Sequence, residues 1–333
     1  MKMQFDKSGR RFFFLTFAVK GRRKVLSRVV EQAGPNGESG AIAELSPAGG
    51  AVVELWRNVH RRWPCLTASH FVVMPDHVHL LLVADYRRNP DFDILGWFHR
   101  FRREAAGAVA PVLGVPPEDA WEERYWLMLL NAGRPLGTVR RYIRANPARW
   151  LWKERHPDRF ARRSCLRHLS LDPGLDWTAV GNVTLLDSPF LFPVRLTRRL
   201  SVEEHRSAIE RALDRARRGA VPVCGFLSPG EKELERRLRE DACARWIKTV
   251  PYGLPAGFDP GVEDSRALAA GRLLVLSSFP DGIPAVPVSR GNCLLMNKRN
   301  GELCRRAAGA ADGNGQQPGP CPEPRGSGRK EPT

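Results

Sequence analysis

Acidic residues are the first shortage in this chain: 36 Asp and Glu stand against 53 Lys and Arg, a formal net charge of +17 with a pI near 10.3. That balance is the electrostatic footprint of a polyanion partner, although ribosomal and membrane-surface proteins share it. The surplus is uneven, with 29 basic against 16 acidic residues over 1–170 and 24 against 20 over 171–333. Cysteine is sparse, seven residues at 65, 165, 224, 243, 293, 304 and 321 with no C-x-x-C spacing. This argues for reduced thiols and against a zinc site built on cysteine. No apolar run approaches the 18 or more residues of a membrane span, and MKMQFDKSGRR at the start lacks the apolar core of a signal peptide. A cytoplasmic protein without a membrane partner is expected. Neither G-x-G-x-x-G nor G-x-x-x-x-G-K-[ST] occurs, so the usual dinucleotide and P-loop phosphate sites are excluded. Tyrosine occurs four times only, which leaves few candidates for chemistry that needs a phenol.

With 333 residues, 42% of them hydrophobic, the chain has material for two folded domains. Its most informative stretch is Phe71–Asp85, FVVMPDHVHLLLVAD. Two apolar strand segments, Phe71–Met74 and His77–Val83, flank a Pro75-Asp76 turn. Strand side chains alternate with period two, so His77 and His79 share a face with Leu81, while Val78, Leu80 and Leu82 take the other. Two imidazoles side by side on one strand make half a metal site. Buried histidines satisfied by hydrogen bonds would give the same pattern.

Around this stretch the pattern gives a strand at Phe12–Val19 and a basic turn, Lys20-Gly21-Arg22-Arg23-Lys24, where a nucleic-acid backbone could lie. Residues 34–50, rich in Gly, Pro, Ser and Ala, read as a flexible insertion. Helices are expected at Ala51–Arg62 and Asp93–Val109, a strand at Arg124–Leu130, and a helix at Leu136–Ala145, entered through Gly133 and Pro135 and closed by Pro147. The order strand, helix, two strands, helix, strand, helix fits an α+β sandwich with a largely antiparallel sheet.

Three ordered motifs carry a resemblance. MPDHVHLLL (74–82) is similar to the metal-binding block of single-tyrosine HUH transposases, in particular the REP-associated tyrosine transposases, and YIRANP (142–147) resembles their YIxxNP tyrosine motif. WEERY (121–125) looks like the W-x-x-R-Y strand that precedes the tyrosine helix in those proteins. The resemblance covers roughly residues 10–155. It implies a ferredoxin-like or RRM-like HUH domain in which His77, His79 and the side-chain oxygen of Asn146 hold one Mg²⁺ or Mn²⁺ ion and Tyr142 is the nucleophile. Attack would leave a 5′-phosphotyrosine and a free 3′-hydroxyl, conserving the bond energy for strand transfer without ATP. Arg22, Arg23, Lys24, Arg140, Arg141 and Arg144 are the expected DNA contacts, and the last three could also favour ionisation of the phenol. The implied partner is single-stranded hairpin DNA, met by a monomer or homodimer in a bacterial nucleoid. The sequence departs from the family after NP, where Ala148-Arg149-Trp150-Leu151-Trp152 replaces a small aliphatic run. Two other readings stand beside this one: a domesticated copy that holds hairpin DNA or RNA without cutting, and a metal-dependent nuclease in which Tyr142 is structural.

Beyond residue 155 the character changes. Residues 156–178 read as an irregular linker. Ser201-Val-Glu-Glu204 and Ser228-Pro-Gly-Glu231 are capping boxes opening charged amphipathic helices. Strands at Val221–Leu227, Arg245–Val250 and Arg272–Ser278, with a helix near Glu263–Ala270, argue a parallel α/β sheet over 179–305. This half more distantly resembles the Rossmann-like domains of the DNA-processing protein DprA, which raises the Ser228 turn as a phosphate site. Residues 306–333 read as a disordered tail.

Overall fold

The computed structural model describes residues 9–33, 39–130, 136–197, 199–281 and 288–311, and the chain divides into two compact units, Met1–Arg155 and His156–Thr333. Among the described residues no helix is long and apolar enough to cross a membrane.

In the first unit the chain runs through β1 (Arg10–Ala18), β2 (Ser27–Ala33), β3 (Ser39–Leu45), α1 (Pro47–Arg57), α2 (Val59–Arg62), β4 (Leu66–Val73), β5 (His77–Asp85), α3 (Ile94–Leu113), β6 (Trp126–Leu130) and α4 (Leu136–Arg155). Four strands form one sheet in the order β4-β5-β1-β6, each neighbour antiparallel. This is the split β-α-β-β-α-β arrangement of ferredoxin-like α+β folds. Period-two alternation divides its faces. Leu15 and Phe17 of β1 with Val78, Leu80 and Leu82 of β5 enter a core with Trp56 of α1 and Phe98 and Phe101 of α3. Leu81 faces the other way, into a smaller cluster with Val139 and Ile143 of α4.

Several expectations need correction. The insertion 34–50 is not a flexible excursion where it is described: β2 and β3 pair as a hairpin, and Ser46 caps α1 with its hydroxyl accepting from Gly49 N at 3.1 Å. Gly49 is required there because a Cβ would meet the Leu26 carbonyl oxygen at 1.9 Å. The expected helix 51–62 is two helices meeting at Asn58. Pro147 does not close α4, which runs on to Arg155. Val139 and Ile143 before the proline and Trp150 after it pack into one apolar cluster, and that packing outweighs the lost hydrogen bond. Gly133 and Pro135 lie outside the described residues.

The second unit contains α5 (Pro157–Phe160), β7 (Arg162–Leu166), β8 (Trp177–Gly181), β9 (Leu191–Pro193), α6 (Val202–Arg217), β10 (Val221–Cys224), α7 (Pro229–Glu240), β11 (Trp246–Thr249), α8 (Val262–Ala269), β12 (Leu273–Ser277) and α9 (Arg290–Ala311). Its sheet has the order β7-β8-β12-β11-β10-β9. The strands β9 to β12 are parallel, as the alternating pattern required, but β8 and β7 extend them antiparallel, so the sheet is mixed. Helices α6, α7 and α8 share one core cluster, while α9 contributes Leu303, Cys304 and Ala307 to another. The proposed linker 156–178 is therefore partly structured. It supplies α5 and the edge strand β7, whose mostly exposed residues and bulge after Arg163 hid it from a hydrophobicity pattern. The tail begins later than expected, since 306–311 continue α9; residues 312–333 lie outside the described residues.

Both capping boxes form. At Ser228 the candidate phosphate site is already filled by the chain itself. The buried Glu231 carboxylate accepts from Leu196 N at 3.2 Å, Leu227 N at 2.9 Å and Ser228 N at 3.1 Å. These three backbone donors are therefore satisfied internally, as is Glu231 N by the Ser228 hydroxyl at 3.2 Å.

Candidate functional site

Strand parity brings His77 and His79 onto the face that α4 covers. His79 is 5% exposed and lies parallel to the Phe14 ring at 5.4 Å between centroids. Across the strand pair it faces Thr16, whose Oγ1 is 2.7 Å from His79 Nδ1. His77 Nδ1 lies 2.5 Å from Asp76 Oδ1, and the other oxygen of Asp76 is 3.5 Å from the Arg22 guanidinium. The two Nε2 atoms converge to 3.1 Å, with ring planes at 80°.

This framework admits two proton arrangements. A carboxylate only accepts, so His77 Nδ1 carries a proton and a neutral His77 has its lone pair on Nε2. If the Thr16 hydroxyl donates to His79 Nδ1, His79 bears its proton on Nε2 and hands it to His77, closing a metal-free chain. If the hydroxyl turns to accept, both Nε2 lone pairs point to one place. Two imidazole nitrogens about 2.1 Å from a shared ion, at right angles, would stand about 3 Å apart, and the 3.1 Å separation fits. Burial foremost, then His77, Arg149 and Arg22, holds the His79 imidazole well below its ordinary pKa, which keeps it neutral and available as a ligand. Asp76 is held low as well: burial opposes this, but the His77 hydrogen bond and Arg22 overcome it. Among the described residues no group of three or more His, Cys, Asp and Glu side chains gathers as a metal cage, so the pair would need an oxygen from elsewhere.

Helix α4 brings the rest. Tyr142 presents its ring edge-on to His79 at 5.3 Å and to Phe14 at 6.0 Å. Asn146, four residues on and therefore on the same side, is buried, and its amide nitrogen donates to the Tyr142 carbonyl at 2.8 Å, which leaves the amide oxygen as its acceptor end. Arg149, only 3% exposed, places its guanidinium 4.9 Å over the Tyr142 ring. Trp150 tilts against His77 at 6.2 Å and lies under the Lys24 ammonium at 5.2 Å.

The basic residues distribute differently from the sequence expectation. Arg22 reaches the site through Asp76 and adopts φ of 54°, a left-handed conformation costly for a non-glycine residue. Arg23 donates to the Leu113 carbonyl at 2.8 Å, and Lys24 pairs with Glu154 at 2.7 Å. Arg144 and Arg140 lie toward His70 of β4, the former 3.1 Å from its Nε2, and both lower its pKa after burial does so. Arg141 is exposed. The cation at Tyr142 is thus Arg149, a residue that sequence reading had set aside as a departure from the family pattern. Thr16, Phe14 and Asp76 were missed too. Their signal was parity on β1 and the position of Asp76 next to His77, which the turn alone had explained.

No family model and no curated protein matches the chain. Similar solved structures include a candidate transposase from Deinococcus radiodurans R1, at 20% identity and TM-score 0.28, with 43% of this chain and 95% of that one covered. DNA processing protein A from Helicobacter pylori, studied for its single-stranded DNA binding mode, is similar at 23% identity and TM-score 0.34, over 43% of this chain and 66% of that one, just under two thirds. A REP-associated tyrosine transposase bound to a REP hairpin is similar at 15% identity and TM-score 0.26, over 47% and 73% of the two chains. The functional reading rests on the side-chain geometry of this chain.

Proposed function

We propose that the chain is a DNA-processing enzyme that nicks and rejoins single-stranded hairpin DNA through Tyr142, using one divalent ion on His77, His79 and Asn146. The observation that supports it most directly is the convergence of two Nε2 atoms at 3.1 Å, each ring fixed from behind, with the Tyr142 ring edge-on to one of them. Asp76 and Thr16 fix the ring orientations, as hydrogen-bond partners do behind metal-ligating histidines. Imidazole nitrogens suit borderline cations better than they suit Mg²⁺, while the amide and phosphate oxygens suit Mg²⁺ and Mn²⁺, so of these two Mn²⁺ is the better match. When bound, the ion supplies Lewis-acid stabilisation of charge on the scissile phosphate. The Tyr142 oxygen attacks phosphorus and loses its proton to solvent. The P–O bond to the 3′ oxygen breaks, that oxygen takes up a proton, and a 5′-phosphotyrosine remains. Arg149 lies over the ring and puts a fixed positive charge beside the nucleophile and the phosphate it would attack. Reversal by another 3′-hydroxyl restores a phosphodiester without ATP.

The metal-free hydrogen-bond chain through Thr16, His79, His77 and Asp76 favours a second reading, a hairpin binder that does not cut. One experiment separates them. Wild-type protein with Mn²⁺ and labelled hairpin DNA is expected to give a labelled band at protein mass on a denaturing gel, and Tyr142→Phe is expected to give none. An adduct that survives in Tyr142→Phe would move the nucleophile elsewhere. Cleavage without any adduct would favour a metal-dependent nuclease, and binding without cleavage the domesticated binder.

A further inference from the structure

Strand β6 lies at the edge of the first sheet, and its alternation is clear from its neighbours: Leu127 and Leu129 pack against the α1/α3 core, while Leu130 packs against the cluster under α4. Trp126 shares the parity of Leu130 and pairs with Thr16, the residue that holds His79. Paired residues project to the same side of a sheet. Trp126 therefore stands on the face of the histidine pair, two strand spacings from His79, roughly 10 Å. It is 60% exposed, the one aromatic among the large hydrophobic side chains that the described residues leave open to solvent. Neither core cluster of the described residues includes the indole. Phe14 on the same face is engaged with His79 and Tyr142, and Trp150 with His77 and Lys24, whereas the Trp126 indole is open to solvent among the described residues.

We infer that Trp126 is a stacking platform for an unpaired nucleobase next to the phosphate held at His77 and His79. A flat π-surface recognises any base whose faces are free and ignores bases stacked inside a duplex. The residue would therefore select single-stranded flank over paired stem and set the register of the strand on the site. This inference rests on the proposed function for the identity of the ligand, and it adds a residue that the tyrosine and metal motifs do not include.

The test uses the full chain and a hairpin oligonucleotide with an unpaired flank, with affinity measured in EDTA so that cleavage plays no part. Trp126→Ala is expected to weaken binding roughly 5- to 100-fold, Trp126→Phe to retain most of it, and fully duplex DNA to bind both variants like wild type. An abasic position moved along the flank should reproduce the loss at one nucleotide, and the two losses should not add. Equal affinity of wild type and Trp126→Ala for the flanked hairpin overturns the platform while leaving adduct formation by Tyr142 intact as a separate result. Failure of wild type to bind the oligonucleotide overturns both. If Trp126→Ala instead converts a dimer to a monomer in light scattering without changing DNA affinity, the indole is a self-association contact and the inference falls.

Discussion

Asp76 has two functions at once. Its backbone carbonyl accepts from Val19 N at 2.9 Å and fixes the β5 turn against β1, while its carboxylate holds His77 Nδ1 and faces Arg22. Asp76→Asn keeps the first function and weakens the second, because an amide is a poorer partner for a ring proton than a carboxylate. Mn²⁺ affinity by titration calorimetry is expected to fall 10- to 100-fold with the circular dichroism spectrum unchanged. Undiminished affinity would reduce Asp76 to a turn residue. His79 gives a pH signature. Burial above all keeps its folded-state pKa well below 6.5, so below about pH 6.5 the unfolded chain binds a proton that the folded chain resists. Stability is then constant above that pH and declines as pH drops toward the folded-state value. Thermal scans of metal-free protein at pH 7.5, 6.5 and 5.5 should show this decline, and His79→Gln should flatten it. An equal decline in both proteins would assign the effect to other groups.

At the scale of elements, much was legible and the misses share a cause. The parity of HVHLLL on β5 and the i, i+4 pairing of Tyr142 with Asn146 are local regularities, and they placed the site's named residues on the right faces. Both capping boxes were readable for the same reason. What sequence could not supply was tertiary compensation. Pro147 stops an isolated helix, but α4 is held on both sides of it by Val139, Ile143 and Trp150. The Gly-rich run that leads into α1 looks flexible until Gly49, in the first turn of that helix, is seen against Leu26. Strand β7 is polar because it is an edge. The Ser228 turn shows the opposite case, where the motif is right and the anion is the chain's own. Glu231→Gln replaces one accepting oxygen with an amide that faces backbone donors, and is expected to destabilise the second unit by about 1–3 kcal/mol. Added phosphate should not restore the loss in thermal scans. Rescue by phosphate would revive the turn as a ligand site.

For the whole molecule, the division at residue 155 changes the charge argument. Met1–Arg155 carries 25 basic against 15 acidic residues, +10, and His156–Thr333 carries 28 against 21, +7. The contrast between halves is smaller than a cut at residue 170 suggests, because Arg159, Arg162, Arg163 and Arg167 belong to the second unit. Charge alone therefore does not assign DNA binding to one unit, and side-chain geometry does more to locate the site. The cores are separate: two hydrophobic clusters draw only on residues before 155 and two only on residues after it. Each unit thus has its own apolar interior, which is what independent unfolding requires. Scanning calorimetry of the full chain is expected to show two transitions. Mn²⁺ at 100 times its Kd contributes about 2.7 kcal/mol to the state that binds it, which for a unit of this size raises Tm by roughly 5–10 °C. Only one transition should move, and His77→Ala should abolish that shift without removing the transition itself. Glu231→Gln should lower the other transition and leave the metal-dependent one in place. A single transition shifted by both the ion and Glu231→Gln would mean that the two units unfold as one, and the metal response could then no longer be assigned to the histidine-bearing sheet by calorimetry alone.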